Sequence, residues 1–138
     1  MTAQYIKVGK YWNVLVYYNT DFRDLPEIEE SLIQLDCPEE DLEAAMDVLY
    51  KKSNTGFTYS NDEYKMSIVC ISETTSAREF VNTAVHEAKH VQSHICAYYD
   101  IPEDSEDAAY LIGHIVSEMY RMVSKVIRHY VRYIGRQD

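Results

Sequence analysis

Over residues 6–18 the chain is crowded with aromatic and β-branched side chains, broken by Gly9-Lys10, and this pattern predicts a β-hairpin. An acidic helical stretch follows over about residues 25–35. A second helix is expected from near Pro38, a residue suited to a first turn, to about Lys51, with Leu42, Ala45, Met46 and Leu49 on one face. Residues 57–59 and 64–71 read as two strands joined through Asn61-Asp62-Glu63, and residues 66–71 as a central strand. Ser76 with Glu79 three positions later forms a capping-box pattern at the head of the next helix. Phe80, Val81, Ala84, Val85, Ala88, Val91 and Ile95 then recur at helical spacing to about Tyr98, and Asp100-Ile101-Pro102 ends the run. The last helix is expected from Glu103 or Asp104 to Ile134, capped by Gly135. Strands early and long helices late predict an α+β fold: a small antiparallel or mixed sheet with helices packed on one face, forming one domain over residues 1–138.

The last helix would exceed 40 Å at about 1.5 Å per residue, longer than a domain of this size is wide. Ile112, Val116, Met119, Val123, Val126, Tyr130 and Tyr133 form a coiled-coil-like seam along it. Internal packing against the acidic N-terminal helices is the expectation, and a homodimer through this helix is the alternative.

Composition narrows the class. The chain has 138 residues, 46% hydrophobic and 26% charged, with a net charge of −10, which disfavours nucleic-acid binding by the surface as a whole. Eleven acidic residues and the single base Arg23 lie between Asp21 and Asp47, whereas Arg121, Lys125, Arg128, Arg132 and Arg136 form an acid-free basic stretch. Opposed solvated faces are the simpler reading of that polarity, a partner site the sharper one. The apolar runs are too short to span a bilayer and the N-terminus lacks a signal-peptide pattern, so a cytoplasmic address without membrane association is expected. Cys37, Cys70 and Cys96 are odd in number and widely spaced, which argues against a disulfide framework or a cysteine metal site.

The chemistry concentrates at His86-Glu87-Ala88-Lys89-His90, an H-E-x-x-H. On a helix, His86 and His90 share a face one turn apart and can reach one Zn2+ ion. Glu87 is displaced by about 100° and can stand beside the ion's open position rather than bind it. Zinc acts as a Lewis acid and brings bound water to a pKa of about 7, and the carboxylate then takes the proton as that water attacks a carbonyl.

A catalytic site of this kind needs a third protein ligand. His94, at i+8 from His86, would lie about 12 Å along a straight helix, too far to converge. Glu106 is preferred, because Ala109 and Gly113 on nearly its own face would let the last helix approach closely. Glu103, with Asp107 four residues on, and His114, favoured by hairpin geometry, are its rivals. Tyr110 and His114, one and two turns after Glu106, are candidate donors to a developing oxyanion, although a packed tyrosine and an ordinary polar histidine are the simpler readings.

At these residues the chain resembles the gluzincins, metallopeptidases whose H-E-x-x-H is completed by a glutamate on a later helix, and its length is similar to that of the minigluzincins. The Glu106-x-x-Ala109-Tyr110-x-x-Gly113 pattern also resembles short H-E-x-x-H proteins of tailed phages and bacterial mobile elements. The resemblance covers residues 86–113. It implies a zincin-like core, zinc on His86, His90 and Glu106, Glu87 as general base, and hydrolysis of a peptide or protein substrate along the strand at residues 66–71. Position 110 departs from the larger gluzincins, carrying Tyr where they carry Asp. The expected function is a zinc-dependent peptidase. The alternatives are a catalytically silent zinc-stabilised binding or regulatory module and an interaction protein acting through the basic helix.

Overall fold

A computed structural model describes residues 1–51 and 53–130. The hairpin forms as β1 (Thr2–Val8) and β2 (Trp12–Thr20), and Gly9 takes the left-handed backbone, φ 64°, that the turn requires. After a single 3-10 turn come α1 (Leu25–Gln34) and α2 (Glu39–Lys51), then β3 (Gly56–Asn61) and β4 (Met66–Ser72), and finally α3 (Ala77–Tyr99) and α4 (Glu106–His129). The class is α+β, with two long C-terminal helices behind a mixed sheet.

The sheet order is β1-β2-β4-β3. β1 pairs antiparallel with β2, β2 parallel with β4, and β3 antiparallel with β4. The chain between β2 and β4 must therefore cross over, and α1, α2 and β3 fill that crossover.

Helices cover both faces of this sheet, where the sequence reading expected one. Trp12, Val14, Val16, Tyr18, Val69 and Ile71 point to α3 and α4 and form one core with Phe80, Ala84, Val91, Ile115 and Met119. Leu15, Tyr17, Ile68 and Cys70 point the other way and pack with Ile28, Leu32, Ala45 and Leu49 of α1 and α2. Alternation within β2 and β4 thus feeds two cores, which requires apolar residues at nearly every position of the central strands. The acidic helices and the basic stretch of α4 end up on opposite outer layers. α4 packs on α3 and the sheet rather than wrapping α1 and α2.

Local signals set the ends of the long helices. The Ser76 hydroxyl accepts from the Glu79 N–H at 3.2 Å, one half of the expected capping box. α3 closes at Asp100 in the left-handed conformation, φ 58°, with its N–H returning to the Cys96 carbonyl. α4 starts three residues later than the earliest expectation, because Ser105 caps it through the Ala108 N–H. Its expected end at Ile134 and Gly135, together with Tyr133, Arg132 and Arg136, lies outside the described residues.

The far end of α4 is fastened by Tyr130. Its hydroxyl donates to the Thr74 carbonyl at 2.7 Å and accepts from the Thr74 N–H at 2.7 Å and the Thr74 hydroxyl at 3.0 Å, all buried. Tyr130→Phe is expected to cost about 1–3 kcal/mol, because the Thr74 N–H and carbonyl lose this buried partner, whereas the Thr74 hydroxyl keeps the Ser76 carbonyl at 2.8 Å. A lower urea midpoint at unchanged slope would show it.

Candidate metal centre

α3 carries the motif, and its flanks have different neighbours. One flank faces β3: the Thr83 hydroxyl donates to the Asn54 carbonyl, Glu87 meets Thr58, and His94 meets Ser60. The opposite flank, about 160° around the helix, faces α4. There the Gln92 amide donates to the Ala108 carbonyl at 3.2 Å, and Ala84 and Val85 line one cavity with Val116 and Met119 of α4.

His86 and His90 project together from the exposed side, nearer β3 than α4. Their Nε2 atoms are 3.2 Å apart, and the rings meet edge to face with centroids 4.8 Å apart. Two imidazoles on one tetrahedral zinc at 2.0–2.1 Å would have nitrogens about 3.3 Å apart. The spacing of the pair therefore already matches that of two ligands on one ion. Without an ion, one ring must donate its N–H to the other.

Glu87 is buried, 4% exposed. Its Oε1 accepts from the Thr58 hydroxyl at 2.8 Å, and its Oε2 lies 3.9 Å from His86 Nε2. Gly56 makes room for it: a Cβ there would sit 2.7 Å from Glu87 Cγ and 2.8 Å from the Cys70 carbonyl oxygen. The carboxylate is thus held between the edge strand and the histidine pair, its orientation fixed by one hydroxyl.

The candidates on and before α4 go elsewhere. Glu106 is exposed in the first turn of α4, the helix on the far flank of α3. Glu103 is paired with Lys89 and accepts from the Ser93 hydroxyl at 3.1 Å; the Lys89 ammonium holds its carboxyl below the usual range. His114 reaches the Lys7 carbonyl at 3.3 Å. It lines a cavity at the β1–β2 turn together with Asp107 and Tyr110, so neither proposed oxyanion donor is brought to the histidine pair. Among the described residues, no group of three or more His, Cys, Asp or Glu side chains is arranged to hold a metal ion.

The strand beside the motif also differs from expectation. β4 is interior, paired on both sides, and offers no free edge to a substrate. The edge strand alongside α3 is β3. Its alternation divides it: Phe57 and Tyr59 pack toward α1 and α2, whereas Thr58 and Ser60 turn to α3.

His94 lies at the end of a hydrogen-bonded chain that the motif alone did not reveal. The Trp12 indole donates to the Ser67 hydroxyl at 3.0 Å, Ser67 and Ser60 are 2.7 Å apart, and Ser60 lies 2.7 Å from His94 Nδ1. An indole N–H only donates. The order that satisfies every hydrogen runs from Trp12 through Ser67 and Ser60 to an accepting Nδ1, so His94 is neutral and protonated on Nε2. Reversing the chain would leave the hydrogen of the fully buried Ser67 hydroxyl without a partner.

Burial lowers the His94 pKa, the neighbouring His90 adds to this, and Asp62 opposes it. The unfolded imidazole takes up its proton near about 6.5 and the folded one only at lower pH. The contribution is therefore complete above the unfolded value and is lost progressively as pH falls from there through the lower folded value. Urea unfolding between pH 7 and 5 should show declining stability, and a flatter slope in His94→Asn, whose amide oxygen still accepts from Ser60.

No family model matches the chain, and no curated protein or solved structure matches it. Among the described residues, no helix is long and apolar enough to cross a membrane.

Proposed function

We propose that the chain is a zinc-dependent peptidase in which His86 and His90 hold the ion and Glu87 is the general base. The observation that carries this reading is the convergence of the two Nε2 atoms, 3.2 Å apart, beside a buried carboxylate. Zinc bound there would supply a Lewis acid and ease deprotonation of water near neutral pH. Glu87, aimed by Thr58 and shielded by β3, accepts the proton of the attacking water and returns it to the leaving amine. β3, on the edge of the sheet, is the strand positioned to align an extended substrate. The resemblance of residues 86–113 to the gluzincins supports the same chemistry, but Glu106 is left out of the ligand set because α4 lies on the other flank of α3.

A second reading, a zinc-stabilised binding module without turnover, is favoured by the burial of Glu87, which is 4% exposed and bonded to the Thr58 hydroxyl, an arrangement that serves a packed site as well as a reactive one. Incubating the zinc-loaded protein with a mixed peptide library separates the two. The peptidase reading expects cleavage that a chelator stops and zinc restores; an intact library with zinc bound selects the module.

A further inference from the structure

Gly113 sits inside α4 on its solvent side, where glycine weakens a helix relative to alanine. Nothing within the fold calls for it: a Cβ at this position would meet no atom within 4 Å. Seven residues on, Tyr120 stands 71% exposed on the same face of the helix. An apolar groove runs beside them between α3 and α4, lined by Val81, Val85, Val116, Val123 and Ile127. We infer that this outer face of α3 and α4 docks a second copy of the chain, antiparallel about a two-fold axis, with Tyr120 of each copy seated over Gly113 of the other.

The shape is complementary to itself. A two-fold axis passing beside Val116 and Ser117 brings positions 113 and 120 of two antiparallel helices together, so one operation fills both seats. The absent side chain at Gly113 makes room for the ring, and tyrosine is among the residue types that anchor such contacts. Ile115 and Met119 are committed to the core, which leaves this face of α4 turned outward.

Charge selects the occupant and its direction. The chain carries −10 overall, and two copies meeting through the acidic α1 and α2 would repel. α4 is balanced instead, with Glu106, Asp107 and Glu118 against Arg121, Lys125 and Arg128. Two of its acids lead and all three bases trail. Parallel copies would set like charge against like, whereas antiparallel copies set the acidic end against the basic end twice. In the register that seats Tyr120 over Gly113, Arg128 falls opposite the Ser105-Glu106 turn. Neither Glu106 nor Arg128 makes an ion pair among the described residues. Exposed pairs of this kind add little affinity and act on orientation. The histidine pair lies toward β3, so docking leaves it open, and the inference stands apart from the peptidase reading.

Sedimentation equilibrium of the full chain tests it. Wild type should associate to twice the chain mass with a dissociation constant in the micromolar range. Tyr120→Ala should weaken this by about thirtyfold or more, since symmetry removes the contact twice. Gly113→Leu should weaken it comparably without lowering the melting temperature of dilute, monomeric protein, because the position is open within the fold. Glu106→Arg and Arg128→Glu should each associate less tightly alone and recover wild-type affinity when mixed in equal amounts. A wild type that stays monomeric, whatever else the groove then holds, overturns the proposal. So does association untouched by Tyr120→Ala and Gly113→Leu, or charge variants that fail to recover on mixing.

Discussion

Glu87→Gln is expected to lower peptide hydrolysis by about 10²–10⁴-fold, the range lost with a positioned general base, while zinc stays bound. The glutamine amide keeps the size of the carboxylate and still offers an oxygen to the Thr58 hydroxyl, which now donates to Glu87 Oε1 at 2.8 Å. It cannot take a proton from water. The histidine pair is untouched, because its 3.2 Å approach depends on the α3 backbone and the two rings. Zinc content by elemental analysis and hydrolysis rates on the same preparation check both halves. Hydrolysis within tenfold of wild type would remove Glu87 from the reaction.

The second large effect is expected at a residue that bears no chemistry. Gly56→Ala would set a methyl group 2.7 Å from Glu87 Cγ and 2.8 Å from the Cys70 carbonyl oxygen. The Cys70 oxygen belongs to the central strand β4 and cannot swing away, so Glu87 or the start of β3 must move. Overpacking of this kind costs about 1–3 kcal/mol, and displacing a catalytic group by about 1 Å can cost about 10²-fold in rate. Gly56→Ala should therefore lose activity beyond its loss of stability, with zinc retained. Unchanged melting and unchanged turnover together would show that the close approach imposes nothing.

Period and capping made the elements legible. Ser76 and the apolar spacing from Phe80 to Ile95 located α3, and Gly9 located the hairpin turn, because these signals are local. The two-faced burial of the sheet was also written in the chain, in Val14-Leu15-Val16-Tyr17-Tyr18 and Ile68-Val69-Cys70-Ile71. Such unbroken runs mark strands covered on both sides, and reading them as members of a one-sided sheet misplaced α1 and α2.

Within the site, the pair at i and i+4 with Glu87 beside it was readable because helix geometry alone places these side chains. Glu106 was chosen on the small residues Ala109 and Gly113. Both residues are exposed, and a Cβ at Gly113 would meet nothing within 4 Å; α4 meets α3 instead at the buried Ala108, whose carbonyl accepts from the Gln92 amide, so small residues alone did not locate the contact. The groups that position Glu87 and His94 come from β3, about thirty residues away. Their only local trace is the polar alternation of Thr58 and Ser60 between Phe57 and Tyr59, a pattern that an ordinary exposed strand face would share.

Zinc stoichiometry across a small set of variants tests the histidine pair most directly. Wild type, Glu106→Ala, Glu103→Ala and His114→Ala are each expected to bind one zinc per chain, whereas His86→Ala and His90→Ala should bind little or none. Zinc kept by His90→Ala, or lost by Glu106→Ala, would contradict a centre built on the two imidazoles of α3.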